Sequence, residues 1–204
     1  MNSVLADGAV PKKLVLLLPW TSYLDVHLKK DTGLFPVYFA KEYNIKTEIV
    51  FFDGGHPLTT KETSHRGVAI KKLPLPQGID GVPRLRNPVK FLRFLLAVCK
   101  YIKQESRSIS HIMLFHATYY SMFLCVYIKT WFPHIKTYVK MDAGFEGAAG
   151  AVNNKFSAGS IMLRIVLANA SLVTCESKKA AELFKTTRAF SKIQYAPNGI
   201  ADEL

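Results

Sequence analysis

The sequence predicts an α/β fold: a doubly wound, mostly parallel, Rossmann-like sheet. Short apolar runs that are continuous rather than alternating, such as Leu14-Val15-Leu16-Leu17-Leu18, mark strands covered on both faces. Such runs alternate with helical patterns at intervals of roughly 25–35 residues, the spacing of βαβ units. With 204 residues, 49% of them hydrophobic, the chain can bury the core this sheet needs, which excludes a wholly disordered polypeptide.

The first strand, Leu14 to Leu18, is ended by Pro19. A polar loop from Thr21 to Thr32 follows, and Gly33 opens a helix from Leu34 to Tyr43 with Leu34, Val37, Tyr38 and Ala40 on one face. Lys46 to Phe52 reads as the second strand, stopped by Asp53-Gly54-Gly55. Asp53 to Gly67 reads as a loop and Gly67 to Leu73 as a third strand. Pro74 to Pro88 carries proline, glycine and arginine and reads as an exposed loop, before a helix from Val89 to Glu105. Ile109 to Phe115 is a strand, Thr118 to Trp131 a largely buried helix and Ile135 to Val139 a strand; the small residues of Ala143 to Asn154 read as a loop. Phe156 to Asn169 is a helix, Ser171 to Cys175 a strand, and Ser177 caps a helix reaching about Phe184. The last strand, Ile193 to Ala196, runs into Pro197-Asn198-Gly199, a turn signal with a stiff entry and a residue free to take positive φ.

A net charge of +12 implies an anionic partner: a phosphate-bearing ligand, anionic lipid or nucleic acid. No aromatic RNA-reading strand, zinc finger or helix-turn-helix signature accompanies the charge, so nucleic acid is not the expected partner. Cys99, Cys125 and Cys175 each lie inside apolar runs and read as buried free thiols of a reducing compartment. Their spacing fits no zinc site, and no metal or cofactor is implied. Residues 1–13 hold Asp7 and no apolar core of a secretory signal. The apolar stretch Tyr119 to Ile128 is cut by Lys129, about half the ~20 residues a spanning helix needs. The expected location is cytoplasmic, with peripheral contact at the inner face of the cell membrane.

In open α/β sheets ligands bind beyond the carboxyl ends of the strands. After the first strand comes Lys30-Asp31-Thr32-Gly33, where a glycine admits close backbone approach and a helix start favours an anion; an ordinary capped turn is the competing reading. His116 follows the Ile109–Phe115 strand, as a proton acceptor or donor to a substrate hydroxyl, or as a histidine satisfied by neighbouring backbone. Lys140 and Asp142 flank Met141 after the next strand; extended backbone would point both to one side, as a base with its orienting cation or as a structural ion pair. In the Val89–Lys103 helix, Lys90, Arg93 and Lys100 fall near one face, extended by Lys103 and Arg107. That helix reads either as a membrane-contact element or as a core helix with a solvated basic edge.

Taken in order, the His116 strand end, the Lys140-Met141-Asp142 strand end, Ala170 to Ser177 and Pro197-Asn198-Gly199-Ile200 resemble the family 4 glycosyltransferases of the GT-B fold. Lys30-Asp31-Thr32-Gly33-Leu34-Phe35-Pro36 followed by Ala40-Lys41-Glu42-Tyr43 is similar to bacterial surface-polysaccharide members. Where family members often carry histidine before the flexible loop, this chain has Lys140-Met141-Asp142. The resemblance implies that residues 1–204 are the N-terminal, acceptor-side Rossmann-like domain of a retaining glycosyltransferase whose donor-binding domain lies outside this chain. It further implies a UDP- or GDP-sugar donor and a glycan or lipid-linked acceptor. Asp142 and His116 would be catalytic, and Lys30, Asp31, Thr32, Gly33, Lys140, Asn198 and Gly199 substrate-binding; the fragment alone would be inactive. A non-catalytic module for sugar-phosphate or protein partners is the alternative.

Overall fold

The computed structural model describes residues 12–79, 81–142 and 144–196, with the backbone alone at Phe145. Eight strands form one sheet: β1 (Lys13–Leu17), β2 (Lys46–Asp53), β3 (Ser64–His65), β4 (Val68–Pro74), β5 (Ile109–Phe115), β6 (Lys136–Met141), β7 (Leu172–Cys175) and β8 (Gln194–Tyr195). Their spatial order is β3-β4-β2-β1-β5-β6-β7-β8, and every pairing is parallel except the short β3–β4 hairpin. The predicted doubly wound α/β fold is therefore the fold observed. The strand order reverses between β1 and β5, which makes the crevice past their carboxyl ends the expected binding place.

Alternation along the central strands divides the core in two. Val15, Leu17, Val50, Phe52, Ile112 and Leu114 face one layer, while Leu16, Leu18, Ile49, Phe51, Met113 and Phe115 face the other. The first layer receives α3 (Pro88–Glu105), α4 (Tyr119–Trp131), α6 (Ala158–Asn169) and α7 (Lys178–Lys185). The second is covered by α1 (Asp25–Leu28) and α2 (Asp31–Tyr43). Phe94 of α3, fully buried against Phe52 at a ring-centroid distance of 4.7 Å, contributes about 2–3 kcal/mol by burial alone.

Helix starts follow the polar caps in the sequence. The side chains of Asn87, Thr118, Ser157 and Ser177 accept hydrogen bonds from the backbone of Lys90, Ser121, Ser160 and Ala180, at the first turns of α3, α4, α6 and α7. At the amino ends of the strands, Lys13 bonds Glu48 at 2.5 Å and Glu105 at 3.1 Å, and Lys71 bonds Glu105 at 2.8 Å. Those contacts clamp the end of α3 to the sheet.

Four features differ from the expectations. The predicted loop Ala143–Asn154 contains a helix, α5 (Phe145–Asn153): its alanines favour helix, and Ala148 packs into the core. The Thr21–Thr32 loop holds α1, and α2 begins at Asp31 rather than Leu34. The Asp53–Gly67 loop contributes the edge strand β3. The Pro197-Asn198-Gly199-Ile200 turn lies outside the described residues.

Candidate active site

His116, the residue after β5, stands at the carboxyl edge beside the β1–β5 crevice. Its φ of 65° is left-handed, a conformation that costs a non-glycine residue of order 1 kcal/mol. Asn44 and Arg66 share positive φ, but one caps α2 and the other lies in the β3–β4 turn. His116 has neither role. Its N–H donates to the Lys140 carbonyl at 2.8 Å, and Ser121 Oγ donates to its carbonyl at 2.5 Å. The imidazole stacks on Trp20, with centroids 6.3 Å apart and planes at 21°. Its Nδ1 lies 3.7 Å from Oδ2 of Asp142.

Asp142 and His116 open into a pocket of about 590 Å³, a size typical of small-molecule sites. Its far wall is α5 and the start of α6, with Gly147, Gly150, Asn154, Ser157 and Ser160 among its lining residues. Ser160 Oγ is buried and has no hydrogen-bond partner among the described residues. Gly147, Gly150 and Asn154 escape the sequence analysis because Ala143–Asn154 reads there as a loop, and Ser157 and Ser160 because they lie in a segment that reads as an ordinary helix. The run Gly147-Ala148-Ala149-Gly150-Ala151 was the available signal, since small side chains let a helix stand beside a cavity without filling it.

Lys140 is elsewhere. Its side chain is fully buried, with Nζ bonded to Asp31 at 3.1 Å and to Glu176, and it lies over the rings of Phe35 and Phe115. The expectation that Lys140 and Asp142 point to one side fails because β6 ends at Met141, so strand alternation does not carry to Asp142. Lys140 instead ties β6 to the start of α2 and to the residue after β7. Glu176 was not anticipated, although it stands at a strand end in the sequence.

The Lys30–Gly33 segment is largely occupied with itself. The Thr32 N–H donates to Asp31 Oδ1 at 2.8 Å, the N–H groups of Gly33 and Leu34 donate to the Lys30 carbonyl, and the Thr32 hydroxyl donates to the His27 carbonyl. A carboxylate already faces this helix start, which disfavours a second anion there. A Cβ on Gly33 would sit 2.3 Å from Leu28 O, so the glycine serves close contact between α1 and α2 backbones rather than approach to a ligand. Lys30 remains exposed, and Asn198 and Gly199 lie outside the described residues.

On α3, Arg93 and Lys100 are exposed and Lys90 is half-buried, in a stripe shared with the exposed Val89, Leu92 and Leu96. Among the described residues no helix is long and apolar enough to cross a membrane, and no three His, Cys, Asp or Glu residues gather around a common metal position. The three cysteines are free, and burial pushes Cys99 up to about 11 and Cys125 up to about 12.

No protein-family model matches the chain, and no curated protein sequence matches it. Solved structures do. The chain is similar to Arabidopsis thaliana UGT89C1 complexed with UDP-L-rhamnose, at 12% identity and a TM-score of 0.59 over 95% of this chain and 50% of that one. It is also similar to the N-terminal domain of Candida albicans trehalose-6-phosphate phosphatase, at 12% identity and a TM-score of 0.58 over 92% and 48%. UGT89C1 complexed with UDP gives a TM-score of 0.57 at 12% identity over 93% and 53%. The chain thus shares the Rossmann-like α/β fold of these structures, and it spans about half the length of each.

Proposed function

We propose that the chain is the acceptor-side half of a retaining glycosyltransferase that moves a sugar from a UDP- or GDP-sugar to a glycan or lipid-linked acceptor. The observation that carries this reading is the His116–Asp142 pair, held at the switch point of a GT-B-type sheet by a strained, doubly anchored backbone. The nucleotide and nucleotide sugar in the two UGT89C1 complexes support a donor of that class. An acceptor hydroxyl placed between His116 and Asp142 meets a carboxylate that orients it and an imidazole that exchanges a hydrogen bond with it. In front-face transfer the leaving phosphate takes the acceptor proton, so this half of the enzyme positions the acceptor rather than supplying a strong base. The donor diphosphate belongs, in this proposal, to a second domain outside this chain. The exposed stripe of α3 fits a location at the cytoplasmic membrane face, where apolar side chains enter the interface and Arg93 and Lys100 meet anionic headgroups.

The test supplies the full-length protein containing this chain with radiolabelled UDP- and GDP-sugars in turn, with a membrane lipid and glycan extract as acceptor. The proposal expects label in the extract from one donor class. Absence of transfer from every donor, with binding of the nucleotide sugar intact, favours a non-catalytic binding module. Tight oligonucleotide binding with a steep salt dependence points to a nucleic-acid partner instead.

A further inference from the structure

A second groove lies on the other flank of α6, formed by that helix and the segment Thr186–Lys192 between α7 and β8. Its volume is about 770 Å³, and the charged residues lining it are Lys155, Arg164, Arg188 and Lys192. No acid lines it. Arg164 is the organising residue: its guanidinium lies over the Phe190 ring at 5.4 Å, and Phe190 is fully buried against Phe184. Stacking on a fixed ring holds the charge in one orientation. Arg164 Nε is buried and has no hydrogen-bond partner among the described residues.

A buried donor on a cation left without an acceptor costs free energy, and three like charges nearby add to the cost. An anion seated in the groove offsets the repulsion among these cations. Thr186 and Thr187 add hydroxyl-bearing side chains to the same wall. The groove shares a helix with the His116–Asp142 pocket but none of its lining residues, and it lies away from the β1–β5 crevice.

We propose that this groove binds a multiply charged phosphate group, with Arg164 as the planar anchor and Lys155, Arg188 and Lys192 closing around it. The guanidinium fork suits two oxygens of one phosphate, and the lysines suit the charge of a second. A diphosphate is thus the smallest species that uses the whole cluster. It comes either from a soluble ester or from a phospholipid headgroup, and the test separates them.

The experiment titrates the chain with inorganic pyrophosphate by calorimetry at low salt, and with cardiolipin vesicles, whose headgroup carries two phosphates, by co-sedimentation against phosphatidylglycerol vesicles. Pyrophosphate binding that weakens about tenfold in Arg164→Gln, and likewise in Arg188→Gln/Lys192→Gln, supports the site. The second variant lies on exposed positions and keeps the test valid if Arg164→Gln folds poorly. Vesicle binding lost in the same variants identifies a headgroup source, whereas pyrophosphate binding with vesicles ignored, or bound equally by wild type and variants through α3, identifies a soluble one. No pyrophosphate binding by the wild type, or binding that both variants leave unchanged, overturns the proposal.

Discussion

Replacing Lys140 by methionine removes the cation between Asp31 and Glu176 while keeping an apolar stem over Phe35 and Phe115. The lysine side chain is fully buried, and the two carboxylates retain 23% and 17% of their side-chain exposure. Removing one partner of a buried charge cluster costs about 3–5 kcal/mol, because the remaining charges stay desolvated. The partial exposure of both acids places this case near the bottom of that range, at about 3 kcal/mol. For a chain of this length that is a fall of roughly 6–12 °C in melting temperature. The assay is urea unfolding followed by circular dichroism, alongside Lys140→Met/Glu176→Gln. The double variant removes the second carboxylate charge and should recover part of the loss, since residues in one network are not additive. A single variant within about 0.5 kcal/mol of wild type, with no recovery in the double, would refute the role assigned to this cluster.

Gly33→Ala should destabilise by about 1–3 kcal/mol despite the better helix propensity of alanine, because its Cβ would meet the Leu28 backbone; equal or higher stability in urea would contradict the close α1–α2 contact. The hydrogen bond from Lys71, aided by Lys13, holds the Glu105 carboxyl down at about 2. A depressed carboxylate contributes stability that is present above its ordinary value of 4.5 and is lost as pH falls toward 2. Glu105→Gln should therefore melt below wild type at pH 7, with the two curves converging by about pH 2; a constant difference across that window would refute the clamp. Arg93→Gln/Lys100→Gln should weaken partitioning onto anionic vesicles by about thirtyfold, at about 1 kcal/mol per cation, and only at low salt. Wild-type indifference to anionic vesicles would make α3 a core helix with a solvated edge.

The sheet was legible because its strands announce themselves: continuous runs such as Leu14–Leu18 and Ile112–Phe115, bounded by turn residues, mark strands covered on both faces. Helix starts were legible wherever Thr118 or Ser177 stood before a periodic segment. α5 was not, since glycine and alanine carry no hydrophobic period, and its helical state is settled by packing against α6 and α7. Strand-end logic singles out His116, Lys140 and Asp142 alike, and it cannot foresee that Lys140 turns to Asp31 and Glu176, 109 and 36 residues away in sequence. Nor could it foresee that the charge on Arg164 meets Phe190, because that contact exists only once α6 and the α7–β8 segment are folded together.

The central claim is that the His116–Asp142 edge receives the acceptor of a sugar transfer, and steady-state kinetics of the full-length protein tests it most directly. Wild type, Asp142→Asn and His116→Ala are compared in the labelled-donor assay, varying donor and acceptor extract separately. The account predicts that Asp142→Asn, which removes the charge that orients the acceptor hydroxyl, lowers kcat by about 10²-fold, and that His116→Ala raises the acceptor KM more than the donor KM. Near-normal kinetics in both variants, with transfer intact, would contradict it and move the acceptor site to another strand end.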